Sequence, residues 1–171
     1  MKQINWGIIG CGDVTEIKSG PAFNKVPNSR LVAVMRRDGA KAADYAQRHN
    51  VPRWYNDAGK LISDPEVNAI YIATPPGSHE EYALAAMGSG KPVYIEKPMA
   101  VNAAAAQHIA DAVTSKNSKA SVAHYRREQP LFKKIKELLA EKIIGEVLLV
   151  PANTAEKLAS GSLQLLRTYT P

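Results

Sequence analysis

Residues 4–23 read Ile-Asn-Trp-Gly-Ile-Ile-Gly-Cys-Gly-Asp-Val-Thr-Glu-Ile-Lys-Ser-Gly-Pro-Ala-Phe. An apolar run of the length of a buried strand stops at Gly10-Cys11-Gly12 and passes into a segment able to start a helix. The first-turn amides of such a helix have no intrahelical acceptor, so the corner is a seat for a pyrophosphate. Gly10 allows the tight turn and Gly12 lets a phosphate approach the backbone. The third small position of the dinucleotide fingerprint is held by Thr15 rather than Gly or Ala. Taken alone, the pattern fits a plain tight turn equally well, and the rest of the chain has to decide between the two.

That rest alternates short apolar runs with segments of helical period, the pattern of parallel strands joined by crossovers. The first helix is expected near Val14 and is interrupted at Gly20-Pro21, because proline removes a donor and clashes with the preceding turn. Strands follow at 30–35, 53–55, 69–73, 92–95 and 119–123. Helices are expected at 39–49, after an Asp57 cap, at 78–89 with Gly90 as its stop, and at 103–116 behind an Asn102 cap. Pro130 suits the first turn of a further helix, where Leu131, Ile135, Leu138 and Leu139 recur at helical spacing up to Gly145. Residues 147–150 read as a seventh strand, and 151–171 follow no period. The expected fold is a Rossmann-type α/β, doubly wound parallel sheet over residues 1–123. Only the start of a second α/β domain follows, over residues 124–171.

With 45% apolar and 22% charged residues, the composition is that of a folded globular chain. A net charge of +6 comes from 22 scattered basic residues. No basic stripe is interleaved with aromatics, which argues against nucleic acid and for a phosphorylated small molecule. The lone Cys11 suits a reducing compartment as a small side chain in the turn. Without a signal-peptide pattern or a long apolar run, the expected location is the cytoplasm and no membrane partner is expected. No metal-ligand spacing is present.

Three stretches at strand ends carry candidate chemistry. Val32-Ala33-Val34-Met35 runs into Arg36-Arg37. In dinucleotide folds an acid at this place holds the ribose hydroxyls, whereas arginine accommodates a 2′-phosphate, so the pair favours NADP over NAD. The bland alternative is two exposed arginines on a turn. Thr74-Pro75-Pro76-Gly77-Ser78-His79 leaves the fourth strand at the same carboxyl edge. Its side chains are placed to line a cofactor, with His79 either a nucleotide contact or a water-exposed helix-start residue. His49 and His108 read as surface residues on helices. Glu96-Lys97-Pro98 follows the fifth strand. A lysine beside a nicotinamide can bond a substrate hydroxyl and help move its proton, with burial and a nearby cation lowering its pKa, and Glu96 is positioned to orient it.

The order Gly10-Cys11-Gly12, Ala73-Thr74-Pro75-Pro76 with His79, and Gly90-Lys91-Pro92-Val93 leading into Glu96-Lys97-Pro98 resembles the Gfo/Idh/MocA oxidoreductase family. The resemblance extends through Arg126-Arg127 and Lys142-Ile143-Ile144-Gly145-Glu146-Val147. It implies that Gly10, Gly12, Asp13 and Val14 contact a dinucleotide and that Thr74, Pro75 and His79 lie along it. It further implies that Glu96 and Lys97 face the nicotinamide, with Lys97 the catalytic candidate, and that Arg126 approaches the cofactor. The implied activity is NAD(P)-dependent hydride transfer, with NADP preferred and NAD possible, on a sugar- or polyol-like substrate. Family members continue through a larger second domain, so weak or absent turnover and association through the 147–150 strand are expected of this chain. A dinucleotide-binding module or inactive remnant without turnover is the alternative. A fragment, a short natural protein and an early end of the reading frame all fit the length.

Overall fold

A computed structural model describes residues 3–143 and 145–146. The chain forms two compact units, Met1–His124 and Tyr125–Pro171. In the first, six strands are all parallel: β1 (Ile4–Ile9), β2 (Ser29–Met35), β3 (Arg53–Tyr55), β4 (Ala69–Ile72), β5 (Val93–Ile95) and β6 (Ala120–Val122). Their order is β3-β2-β1-β4-β5-β6. The winding therefore reverses between β1 and β4, and the crevice at their carboxyl ends is where open α/β sheets bind ligands. This is the doubly wound Rossmann-type sheet expected from the sequence.

Alternation along the strands loads both faces of the sheet. Ile9, Val32, Ile70 and Ile72 pack with Leu61, Ala83, Met87 and Ile109. These last four come from α2 (Ala58–Ser63), α3 (His79–Gly88) and α4 (Ala103–Ser115). The intervening Ile8, Leu31, Val34 and Tyr71 pack with Ala42, Tyr45 and Ala46 on the other face, from α1 (Gly39–Arg48). Ile8, Ile9, Ile70 and Ile72 are all fully buried, and burial of each such side chain favours the fold by about 1.5–3 kcal/mol. The helices begin where short polar residues satisfy orphan amides: Asp38, Asp57 and Asn102 accept from Lys41, Lys60 and Ala105 at 3.2, 2.9 and 2.9 Å. Gly90 takes the left-handed φ of +73° that closes α3.

The expected first helix divides at Gly20-Pro21. Thr15–Ser19 is a π turn and Pro21–Asn24 a 3₁₀ turn. The Gly20 amide reaches five residues back to the Thr15 carbonyl at 3.1 Å, and the buried Tyr45 hydroxyl donates to the same oxygen at 2.9 Å. A Cβ at Gly20 would collide with that hydroxyl and that carbonyl. The packing of α1 thus sets the shape of the first crossover.

Within the second unit, a 3₁₀ turn at Tyr125–Glu128 precedes α5 (Pro130–Ala140), with Pro130 in its first turn. The helix ends at Ala140 rather than continuing to Gly145, because Lys142 adopts a left-handed φ of +53°. The expected strand at 147–150 and the segment 151–171 lie outside the described residues.

Candidate functional site

A cavity of about 610 Å³ opens at the switch crevice. The glycine turn after β1, the β2–α1 turn and the loop after β4 form its walls, contributing Gly10, Cys11, Gly12, Arg36, Arg37, Asp38, Thr74 and Pro75. Gly10 has φ +93°, and a Cβ there would lie 2.7 Å from Thr74 Cγ2 and 2.8 Å from the Thr74 amide nitrogen. The turn and the β4 loop are therefore in direct contact. At Gly12 a Cβ would meet nothing within 4 Å, so the cradle is open on the side a bound group would take.

The amides of Gly10 and Cys11 both donate to the Met35 carbonyl, at 2.9 and 3.1 Å. Among the described residues no acceptor takes those of Gly12, Asp13 and Val14. Thr15 fits the third small position because its side chain is fully buried and its hydroxyl donates to the Gly12 carbonyl at 2.7 Å. Burial pushes the Cys11 thiol up to about 11, against the lowering effect of Arg36. The thiol is thus a neutral wall of the turn.

The two arginines are not equivalent. Arg36 is half-buried and its Nη1 donates to the Cys11 carbonyl at 3.3 Å, which ties the β2 end to the glycine turn. Arg37 is exposed at the cavity wall. Asp38, the acid of the cavity wall that follows the two arginines, caps α1. Its carboxylate accepts from the Lys41 amide at 3.2 Å and pairs with Lys41 Nζ at 3.4 Å. Those bonds, the amide foremost, lower its pKa.

Gly10, Gly12, Arg36, Arg37, Thr74 and Pro75 are thus brought together around one cavity, while the other predicted residues are not among its walls. Asp13 and Val14 are exposed on the turn. His79 is not the water-exposed helix-start residue of one expectation: it is fully buried, with Nε2 2.7 Å from the Thr74 carbonyl and Nδ1 3.0 Å from the Pro98 carbonyl. Glu96 and Lys97 stand on the neighbouring loop after β5. Lys97 is exposed rather than buried as the sequence argument supposed, and its amide donates to the Glu96 carboxylate at 3.1 Å. Arg126 lies on the 3₁₀ turn of the second unit. His49 is half-buried against Tyr45 and bonds Glu16 at 2.7 Å, whereas His108 is exposed and bonds Glu80 at 2.8 Å.

Sequence reasoning missed Glu81 and Tyr82 in the lining, together with Gly77 and Ser78 as individual wall residues. Spacing carried a usable signal, since Ser78, Glu81 and Tyr82 follow one another at i, i+3 and i+4 and share a helix face. Asp38 was hidden because one residue serves as both helix cap and cavity wall. No group of three or more His, Cys, Asp or Glu side chains able to hold a metal occurs among the described residues.

Known proteins place this arrangement. The chain is 56% identical over 146 residues to Oxidoreductase P35 of Formosa agariphila, matching 85% of this chain and 46% of that protein. It is 32% identical over 149 residues to trans-1,2-dihydrobenzene-1,2-diol dehydrogenase of Xenopus tropicalis, covering 86% of this chain and 45% of that protein. A crystal structure of an NAD binding oxidoreductase from Klebsiella pneumoniae superposes with a TM-score of 0.74 at 31% identity, covering 84% of this chain and 40% of that one. The chain spans about half the length of the curated relatives it matches. Residues 4–124 match the family model described as an oxidoreductase family with an NAD-binding Rossmann fold. With that match over most of its length, and with the glycine turn at the β1–β4 crevice, the chain belongs to the Gfo/Idh/MocA oxidoreductase family.

Proposed function

We propose that this chain binds NADP in preference to NAD and serves hydride transfer between the nicotinamide and a hydroxyl-bearing carbon of a polyol-, sugar- or vicinal-diol-like substrate. The observation that carries this reading is the single cavity wall shared by the glycine turn, Arg36-Arg37 and Thr74-Pro75. The open side of Gly12 and the free amides of Gly12, Asp13 and Val14 fit a pyrophosphate. Arg36 and Arg37 fit a 2′-phosphate. The diol substrate class is suggested by the Xenopus relative's name.

When bound, the nicotinamide supplies the carbon that accepts or releases hydride. We assign Lys97, on the loop after β5, to bond the substrate hydroxyl and help move its proton, while Glu96 fixes the loop that carries it. His79 and Arg126 are assigned to the cofactor's surroundings by family resemblance. With one cysteine, and with no described helix long and apolar enough to cross a membrane, the cytoplasm is the proposed location. A second reading, a dinucleotide-binding module without turnover, is favoured by the exposure of Lys97, which leaves the proposed reaction open to water.

Titration with NADP and NAD, followed by assay of reduced nicotinamide with a panel of polyols, sugars and vicinal diols, separates these readings. Binding of NADP with turnover supports the first, and binding without turnover supports the second. Each lost charge-assisted bond to phosphate costs about 1.5–3 kcal/mol. Arg36→Asp is therefore expected to weaken NADP binding by roughly 10- to 100-fold while leaving NAD binding nearly unchanged. An unchanged NADP:NAD ratio would remove the arginine argument, and failure of both cofactors to bind would remove the reading altogether.

A further inference from the structure

The Glu96-Lys97-Pro98 loop is held at both ends by buried side chains that reach it from other elements. At its start, the Glu96 carboxylate accepts from the Tyr71 hydroxyl of β4 at 2.5 Å and from the Lys97 amide at 3.1 Å. At its end, the Pro98 carbonyl meets Nδ1 of His79, whose Nε2 meets the Thr74 carbonyl on the cavity wall. Tyr71 and His79 are both fully buried, whereas the Lys97 side chain between the two anchor points is exposed.

We infer that Tyr71 and His79 are positioning residues that fix the backbone on either side of Lys97, His79 through a bond from Nδ1–H to the Pro98 carbonyl. This rests on the proposed role of Lys97 in hydride-transfer chemistry. Ordinary core packing does not account for the polar atoms. The Tyr71 ring packs against Phe23 and Tyr94 at centroid distances of 5.3 and 5.5 Å, and phenylalanine would make the same contacts. What the hydroxyl adds is its bond to Glu96. A buried hydroxyl or imidazole is unfavourable unless it is bonded, and in both residues the partners belong to the loops flanking the proposed chemistry.

His79 has a further property: its two ring nitrogens face two carbonyl oxygens, 74 and 98, from loops that follow different strands. A neutral imidazole carries one N–H and so donates to one of the two, a bond that an apolar side chain of similar size would lack. A catalytic side chain has to be held to within about 0.5 Å, on a backbone that supporting residues lock. An exposed loop lacking such support moves on the nanosecond-to-microsecond timescale. The two buried anchors supply that support while leaving the lysine free to meet a substrate.

The test uses the full chain and three variants, Tyr71→Phe, His79→Leu and His79→Gln, with backbone order parameters from ¹⁵N relaxation at Lys97, Met99 and Ala100 and relaxation dispersion at the same amides for slower motion. Amides of β2 serve as the internal reference, and NADP affinity is measured in parallel. Rigid backbone gives order parameters near 0.85 and flexible backbone values below about 0.6. Tyr71→Phe and His79→Leu are expected to carry the three loop positions from the first range to the second with β2 unchanged. His79→Gln, whose amide still donates to one carbonyl, is expected to restore most of the rigidity. Unchanged loop values in Tyr71→Phe, or equal loosening of loop and β2, would overturn the inference. If His79→Leu does not fold, Tyr71→Phe and His79→Gln still decide it. Loop loosening in a chain that never bound NADP would uphold the anchoring and remove the functional reading instead.

Discussion

Gly10 and Gly12 are two residues apart and are glycine for different reasons, which mutation can separate. At Gly10 the backbone lies at φ +93° and an added Cβ would press on the Thr74 amide, an atom that cannot swing away. Gly10→Ala is therefore expected to lower stability by about 1–3 kcal/mol, read from urea unfolding. At Gly12 the added Cβ meets nothing, so Gly12→Ala is expected to stay within about 0.5 kcal/mol of the parent. Its effect should fall on the cofactor, whose phosphates need that space, with NADP affinity reduced at least about tenfold, a loss of roughly 1.4 kcal/mol. A Gly12→Ala protein that bound NADP normally would show that the turn is only a turn. Both glycines were legible from their place after an apolar run. The division of labour between Arg36 and Arg37 was not, because sequence does not reveal that one guanidinium is already turned toward the Cys11 carbonyl. His79 was legible as a residue of the β4 loop but not as a support of the loop after β5, since its partner there lies 19 positions downstream.

Among the elements, the first crossover departs most from a regular Rossmann unit, and charge as well as packing holds it. Glu16, in the π turn, bonds Arg48 Nη1 and Nη2 at 2.9 and 2.7 Å and His49 at 2.7 Å, joining the turn to the end of α1. The Arg48 bonds chiefly, with His49 adding to them, hold the Glu16 carboxyl down to about 2 from an ordinary value of 4.5. Because the folded value lies below the unfolded one, ionised Glu16 stabilises the fold above pH 4.5 or so. That contribution fades as pH falls from there toward 2. Solvent screening of a partly exposed pair limits it to about 1 kcal/mol. Glu16→Gln is accordingly expected to lose that amount at pH 7 and to converge with the parent near pH 2, as followed by urea unfolding across pH. A difference independent of pH would point to packing rather than charge. The caps at Asp57 and Asn102 and the glycine stop after α3 could be read directly, since each depends on one residue and its immediate neighbours. The π turn could not, because its register is set by the Tyr45 hydroxyl, 30 positions away.

For the molecule as a whole, the alternation of apolar runs and helical segments made the parallel sheet legible, and the crevice between β1 and β4 follows from the order of its strands. The chemistry was less legible, because the residues around the cavity come from three turns and the start of α3, which sequence lists separately and only the sheet edge unites. Since those turns meet at the switch point, a ligand seated there bonds the fold at its centre and should stabilise it cooperatively. Free ligand at 100 times its Kd adds about 2.7 kcal/mol, which for a chain of this size corresponds to a rise in Tm of roughly 5–10 °C. The parent is expected to show this rise with NADP. In Arg36→Asp, if affinity falls about 100-fold, the same NADP concentration only equals the new Kd and adds about 0.4 kcal/mol, a rise of about 1 °C. The response of Arg36→Asp to saturating NAD should remain close to that of the parent, because the lost contact is to the phosphate that NAD lacks. Thermal scans of both proteins with both cofactors give four Tm values. A loss confined to NADP assigns the arginine to the 2′-phosphate, while an equal loss with NAD would make Arg36 a support of the glycine turn through the Cys11 carbonyl instead.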